Sequence, residues 1–119
     1  MKKISDRDVD IICGILDHCD RIGEIIKRID SSWETYSKDI VFKDAIKMNV
    51  FQIGELSNHL SDEFKELTSD IPWHKIYGTR NIIAHGYIMI DERIIWNTVV
   101  KDIPELKNRL LVLMEEYHI

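Results

Sequence analysis

The stretch SDRDVDIICGILDHCDRIGEIIKRI, residues 5–29, decides the fold. Along it Val9, Ile12, Leu16, Cys19, Ile22, Ile26 and Ile29 recur at steps of three and four residues, the interval that stacks side chains on one face of an α-helix. Ser5 followed by Asp8 has the spacing of a capping box, with Ile4 placed ahead of it as a hydrophobic staple. The spacing predicts a helix from about Ser5 to Ile29, and its apolar face requires other elements to pack against.

Working outward, DSSWETYSKD (residues 30–39) reads as turn and cap residues. A second long helical pattern runs from about Asp39 through Phe42, Ile46, Ile53, Leu56 and Leu60. Asn49 and Gln52 interrupt its apolar face, as exposed residues, as partners in a hydrogen bond between helices, or as residues that face a partner, the first two being favoured. SDEFKEL predicts a short helix capped by Ser61, Pro72 suits the first turn of the next, and Asp91 caps a segment holding Ile94, Ile95, Trp96, Val99 and Val100. Pro104 is expected to break or kink the chain at that point, with Asp102 as a cap, before ELKNRLLVLMEEY closes the sequence helically. No segment alternates long enough to argue a strand, and there is no repeat or linker. The expected architecture is an all-α antiparallel bundle of four to five helices, one domain spanning residues 1–119.

Composition agrees with a packed domain. Of 119 residues, 45% are hydrophobic and 31% charged, with five glycines and two prolines, which excludes a low-complexity or disordered chain. The net charge of −5 does not draw the whole chain to a polyanion or a membrane surface, so any nucleic-acid contact must come from a local basic patch. No apolar run is long enough to span a bilayer and no signal-peptide pattern opens the chain, so a cytoplasmic location is expected. Cys13 and Cys19, six residues apart on one helix, have Cα atoms roughly 9 Å apart, beyond the roughly 7 Å a disulfide can bridge. With His18 between them they lack the further ligands a metal site needs, and free thiols are expected.

The chemistry concentrates in RNIIAHGY, residues 80–87. On a helix Arg80 and His85 lie roughly 140° apart, whereas Asn81 and His85 share a face. Gly86 is a natural helix stop, which leaves His85 in the last turn, where the helix dipole suits a positively charged group. Tyr87 comes just past that stop, where it is expected to be exposed and reachable. Taken singly, such residues are most often a helix-end cap, a solvated cation and a packing ring.

Together with their surroundings they carry a resemblance. PWHKIYGTRNIIAHGY followed by IIWNTVVKDIPELKNRL, with FQIGELSNHLS upstream, resembles the HepT toxins of the HEPN superfamily over about Lys43 to Leu110. The family's pattern of Arg, four residues, His, one residue and Tyr is matched without a gap by Arg80, His85 and Tyr87. The resemblance implies a helical homodimer acting as a metal-independent endoribonuclease toxin without a cofactor, encoded beside a small nucleotidyltransferase antitoxin called MntA. It also implies that Tyr87 is the residue the antitoxin adenylylates.

Elementary chemistry adds a constraint. Cleaving RNA through its own 2′-hydroxyl needs a base, an acid for the leaving 5′-oxygen, and positive charge on the phosphorane. One motif supplies one imidazole, so a twofold dimer would pair two copies of His85, with Arg80 holding the phosphate. Asn81 could orient the imidazole or donate to phosphate. Lys75, Arg93, Lys43 and Lys47 are candidates for a basic rim that meets RNA. Two other readings use the same residues, namely a non-catalytic subunit that binds nucleotide or substrate for a nucleotidyltransferase, and a structural dimerisation module.

Overall fold

A computed structural model describes residues 3–86 and 89–119. Tyr87 therefore lies outside the described residues. Helix α1 spans Asp6–Arg28, capped where the spacing predicts, with Ser5 Oγ accepting from the Asp8 amide at 3.1 Å. It stops at Ile29, after which Asp30 and Ser31 adopt left-handed backbone with φ of 51° and 54°. The Ser31 amide then reaches back to the Ile26 carbonyl at 2.9 Å, which satisfies one of the orphan acceptors at the helix end.

The segment read as turn and caps instead contains a helix, α2 (Trp33–Lys38), capped by Ser32. At six residues it is too short for periodicity to declare itself, and tertiary packing forms it. Trp33, Tyr36 and Trp96 pack ring against ring, with centroids 5.2 to 6.0 Å apart. The Tyr36 hydroxyl donates to Glu92 Oε1 at 2.9 Å, and Lys47 Nζ donates to Glu92 Oε2 at 2.8 Å. Burial, reinforced by the Glu92 carboxylate, pushes the Tyr36 phenol well above its ordinary range.

Helix α3 (Ile40–Asn58) starts on Asp39, whose carboxylate accepts from the Val41 and Phe42 amides. It packs against α1 along one side and against α5 (Trp73–Gly86) along the other. Asn49 makes the expected bond between helices, its Oδ1 lying 2.8 Å from His18 Nδ1 on α1. Helix α4 (Asp62–Leu67) is capped by Ser61 as expected. After α5 come α6 (Glu92–Asn97), capped by Asp91, and α7 (Ile103–Glu116). The core between them is rich in isoleucine, with Ile12, Ile15, Ile22, Ile46, Ile53 and Ile95 essentially inaccessible. Each contributes about 1.5–3 kcal/mol by leaving water.

Pro104 does not break the helical run. A π-helical turn over Thr98–Asp102 joins α6 to α7 as one helical run. The Ile103 amide bonds to the Thr98 carbonyl, a five-residue step that widens the backbone just where the ring of Pro104 would otherwise meet the carbonyl one turn back. Asp102 is consequently helical and caps nothing. Its carboxylate pairs with Lys75 Nζ at 3.1 Å.

Among the described residues there are four long helical segments, α1, α3, α5 and the α6–α7 run, with α2 and α4 as short additions and no strand. The all-α bundle is as expected. Among the described residues no helix is long and apolar enough to cross a membrane. Both thiols are free, Cys13 exposed and Cys19 buried.

Asp8 joins two helix starts. Besides lying in the first turn after Ser5, it offers a carboxylate that accepts from the Ser61 amide at 3.0 Å and from Ser61 Oγ at 2.6 Å, while Ser61 Oγ caps α4 through the Phe64 amide. Burial opposes the charge of Asp8, but the Ser61 hydroxyl and amide outweigh it and hold the carboxyl below its usual value of 3.8. A carboxylate depressed on folding stabilises fully above its unfolded value, and that stabilisation is lost as pH falls through the lower folded value. Asp8→Ala is expected to destabilise the fold by about 2 kcal/mol at neutral pH, because the Ser61 amide and hydroxyl lose a charged acceptor. The difference from wild type should shrink below about pH 3.8. Urea melts at pH 7 and pH 3 check this, and an unchanged difference between the two would remove Asp8 from the acid dependence.

Candidate active site

The site begins with a close approach of two helices. Gly54, in the C-terminal half of α3, faces α5 at Arg80, where a methyl group on Gly54 would lie 2.3 Å from Arg80 Cβ, 2.9 Å from Arg80 Cγ and 3.4 Å from the Ile76 carbonyl oxygen. Glycine costs a helix interior about 0.5–1 kcal/mol, and here it admits the stem of the arginine.

The residues around Gly54 then hold the guanidinium. Nε of Arg80 donates to Glu55 Oε1 at 2.5 Å. Phe51, one turn earlier on α3, places its ring 4.9 Å from Cζ, and Tyr77, one turn earlier on α5, places a second ring at 5.7 Å. Nη1 donates to the side-chain oxygen of Asn81 at 3.1 Å. The arginine side chain is only 21% exposed. Among the described residues these bonds use two of its five N–H groups, and the other three sit on Nη1 and Nη2, at the end of the fork suited to a phosphate.

His85 is placed differently. It is exposed in the last turn of α5, and among the described residues no side chain hydrogen-bonds its ring. Five residues separate it from Arg80, about 7.5 Å along the axis and roughly 140° around it. The helix therefore presents the guanidinium and the imidazole on different faces. Asn81 is brought to Arg80, with its Oδ1 engaged there.

Beside Phe51 a groove of about 240 Å³ separates α3 from the end of α5, lined by Asp44, Lys47, Met48, Phe51, Ile83 and Ala84. Its floor is apolar, and Met48 is 59% exposed. The cations read as a basic rim are mostly committed elsewhere. Lys47 is buried and ion-paired with Glu92, so it forms no rim, since the Tyr36 and Glu92 packing draws it inward. Lys75 pairs with Asp102 beside a separate cavity of about 200 Å³ that Ile76 and Thr79 also line. The Arg93 guanidinium stacks on Trp33, 3.9 Å from the ring centre. Lys43 is half-buried.

Sequence reasoning missed Gly54, Glu55, Phe51 and Tyr77, which hold Arg80. Glu55 is 25 positions from Arg80, so no helical spacing links them. The one available signal is Gly54 itself, an isolated glycine inside a helical pattern, which often marks close packing.

Comparison with known proteins places the chain in a lineage. The family model described as ribonuclease HepT-like matches residues 15–113. A Caldanaerobacter subterraneus subsp. tengcongensis protein described as "Putative RNase" is 36% identical over 102 residues, covering 86% of this chain and 89% of its own. A Thermococcus cleftensis protein described as "Probable ribonuclease HepT" is 33% identical over 102 residues, covering 78% of this chain and 89% of its own. A Methanocaldococcus jannaschii protein, again described as "Putative RNase", is 29% identical over 111 residues, covering 92% of this chain and 100% of its own. No solved structure gave a significant match.

Proposed function

The chain belongs to the ribonuclease HepT-like family, and on that premise we propose that it is an endoribonuclease, the toxin of a HEPN and nucleotidyltransferase toxin–antitoxin pair. Residues 1–119 act as one HEPN-like domain that functions as a homodimer. The observation that carries the reading is the clamp on Arg80: a half-buried guanidinium, fixed by Glu55, Asn81 and two rings, keeps the end of its fork for a phosphate, on the helix that ends in an exposed imidazole.

In the reaction the substrate's 2′-oxygen attacks the adjacent phosphorus while the bond to the 5′-oxygen breaks. One His85 takes the proton of the 2′-hydroxyl, and the second His85, from the other subunit, gives a proton to the departing 5′-oxygen. Arg80 stabilises the charge that builds on the phosphorane. The products are a 2′,3′-cyclic phosphate and a free 5′-hydroxyl, and no metal ion takes part. The separation of Arg80 and His85 on one helix supports the dimer, because a single α5 aims only one imidazole and aims it away from its own guanidinium. Lys75 and Arg93, at the ends of surface pairs, assist in holding RNA.

Purified protein incubated with total RNA in excess chelator tests the reading. Cleavage that disappears in the His85 variant is expected, whereas binding without cleavage would favour a nucleotide- or substrate-binding subunit.

The partner is an MntA-like nucleotidyltransferase that silences the toxin by transferring AMP to Tyr87. Tyr87 lies two residues after His85, so an adenylyl phosphate attached to its phenol brings negative charge and bulk beside the residues that engage RNA. With the antitoxin, ATP and magnesium, mass should rise in adenylyl steps on a peptide containing Tyr87, with parallel loss of cleavage. Continued modification of Tyr87→Phe, or full activity of the modified protein, would rule this switch out.

A further inference from the structure

The clamp has a second anion in it. Arg80 meets a carboxylate, Glu55, before it meets any phosphate, and the two side chains are 21% and 35% exposed. From this geometry we infer that Glu55 is a positioning residue, which occupies the Nε edge of Arg80 and thereby restricts a substrate phosphate to the Nη1 and Nη2 end of the fork. The inference rests on the proposed role of Arg80 and goes beyond it by naming what aims that residue.

An arginine can grip an oxyanion by its side, through Nε and one Nη, or by its end, through both Nη atoms. An unrestrained guanidinium would sample both and hold the phosphorus in more than one place. In this fold the side edge is taken, since Nε bonds to Glu55 Oε1, and a phosphate approaching that edge also meets the like charge of the carboxylate. Asn81 leaves one hydrogen of Nη1 and both of Nη2 for the substrate. Phe51 and Tyr77, at 4.9 and 5.7 Å, restrict the plane of the group. Gly54 places Glu55 where it can reach, because any side chain at Gly54 would push α5 away.

Such restraint acts on geometry more than on affinity. A long RNA makes many contacts, so loss of one aiming bond changes KM little, whereas a phosphorane misplaced by a fraction of an ångström loses its charge stabilisation. The signature is therefore a fall in kcat at nearly constant KM.

The experiment compares cleavage of a defined RNA by wild type, Glu55→Ala, Glu55→Gln and Arg80→Ala, with melting temperatures taken in parallel. Glu55→Ala should lose about thirtyfold in kcat, with KM within about twofold. Glu55→Gln keeps an oxygen acceptor in the same place and should recover most of the loss. Being nearly isosteric, it also carries the test if the alanine variant folds poorly. Wild-type kcat in both Glu55 variants, a loss confined to KM, or a loss that tracks the melting temperature would overturn the inference. The Arg80→Ala arm separates the two levels: if that variant is inactive while the Glu55 variants cleave normally, only the positioning role falls, and if it cleaves normally the site assignment falls as well.

Discussion

Replacing His85 by alanine is expected to cost at least a hundredfold in RNA cleavage, within the roughly 10²–10⁴-fold range of a positioned acid or base, with no change in the melting curve. The expectation of an intact fold comes from the environment. His85 is exposed at the end of α5 and, among the described residues, its ring has no hydrogen-bond partner there to lose. A surface change of this kind shifts stability by about 0.5 kcal/mol or less. The loss in rate is expected to be large because, in the proposed dimer with one imidazole as base and the other as acid, the substitution removes both proton transfers at once. Steady-state cleavage together with scanning calorimetry decides the matter, and cleavage within tenfold of wild type on a normally folded variant would exclude His85 from the mechanism.

Gly54→Ala is the second large effect, and it falls on stability and activity together. The new methyl would stand 2.3 Å from Arg80 Cβ, an atom fixed to the backbone of α5 that no rotamer change can move. The helices must separate, at a cost of about 2–3 kcal/mol for an overpacked interface, which corresponds to a fall in melting temperature on the order of 10 °C for a domain of this size. Separation also draws the guanidinium away from Glu55 and Phe51, so the surviving folded protein should cleave about tenfold more slowly. A melting temperature within two or three degrees of wild type would mean that α3 and α5 can part without penalty.

The long helices were legible because their signals are local. Ser5, Asp39, Ser61 and Asp91 each cap the helix that their position in the sequence predicts, and the isoleucine spacing of α1 marks its buried face. What was not legible depends on contacts distant in sequence. Helix α2 exists through Tyr36 and Glu92, 56 residues apart. The expectation at Pro104 follows from the geometry of α-helices, and a π-helical turn accommodates the proline by other means. At the site, the motif marks the candidate residues on α5, while the packing of α3, invisible to local spacing, determines how Arg80 is held. Lys47 shows the limit of reading charge as exposure, since a lysine with Glu92 for company can sit in the interior.

The two thiols give the protein a native handle. Cys13 is exposed on α1. Cys19, less than two turns further on, is buried, and that burial together with neighbouring Asp20 pushes its thiol up to about 12. Thiolate is the reactive form, so a maleimide at neutral pH should add once per chain, at Cys13 alone. A fluorophore or spin label could therefore be installed without engineering the sequence. In an assembly of two chains it would report one inter-subunit distance, and through it when the subunits associate and whether a bound partner separates them.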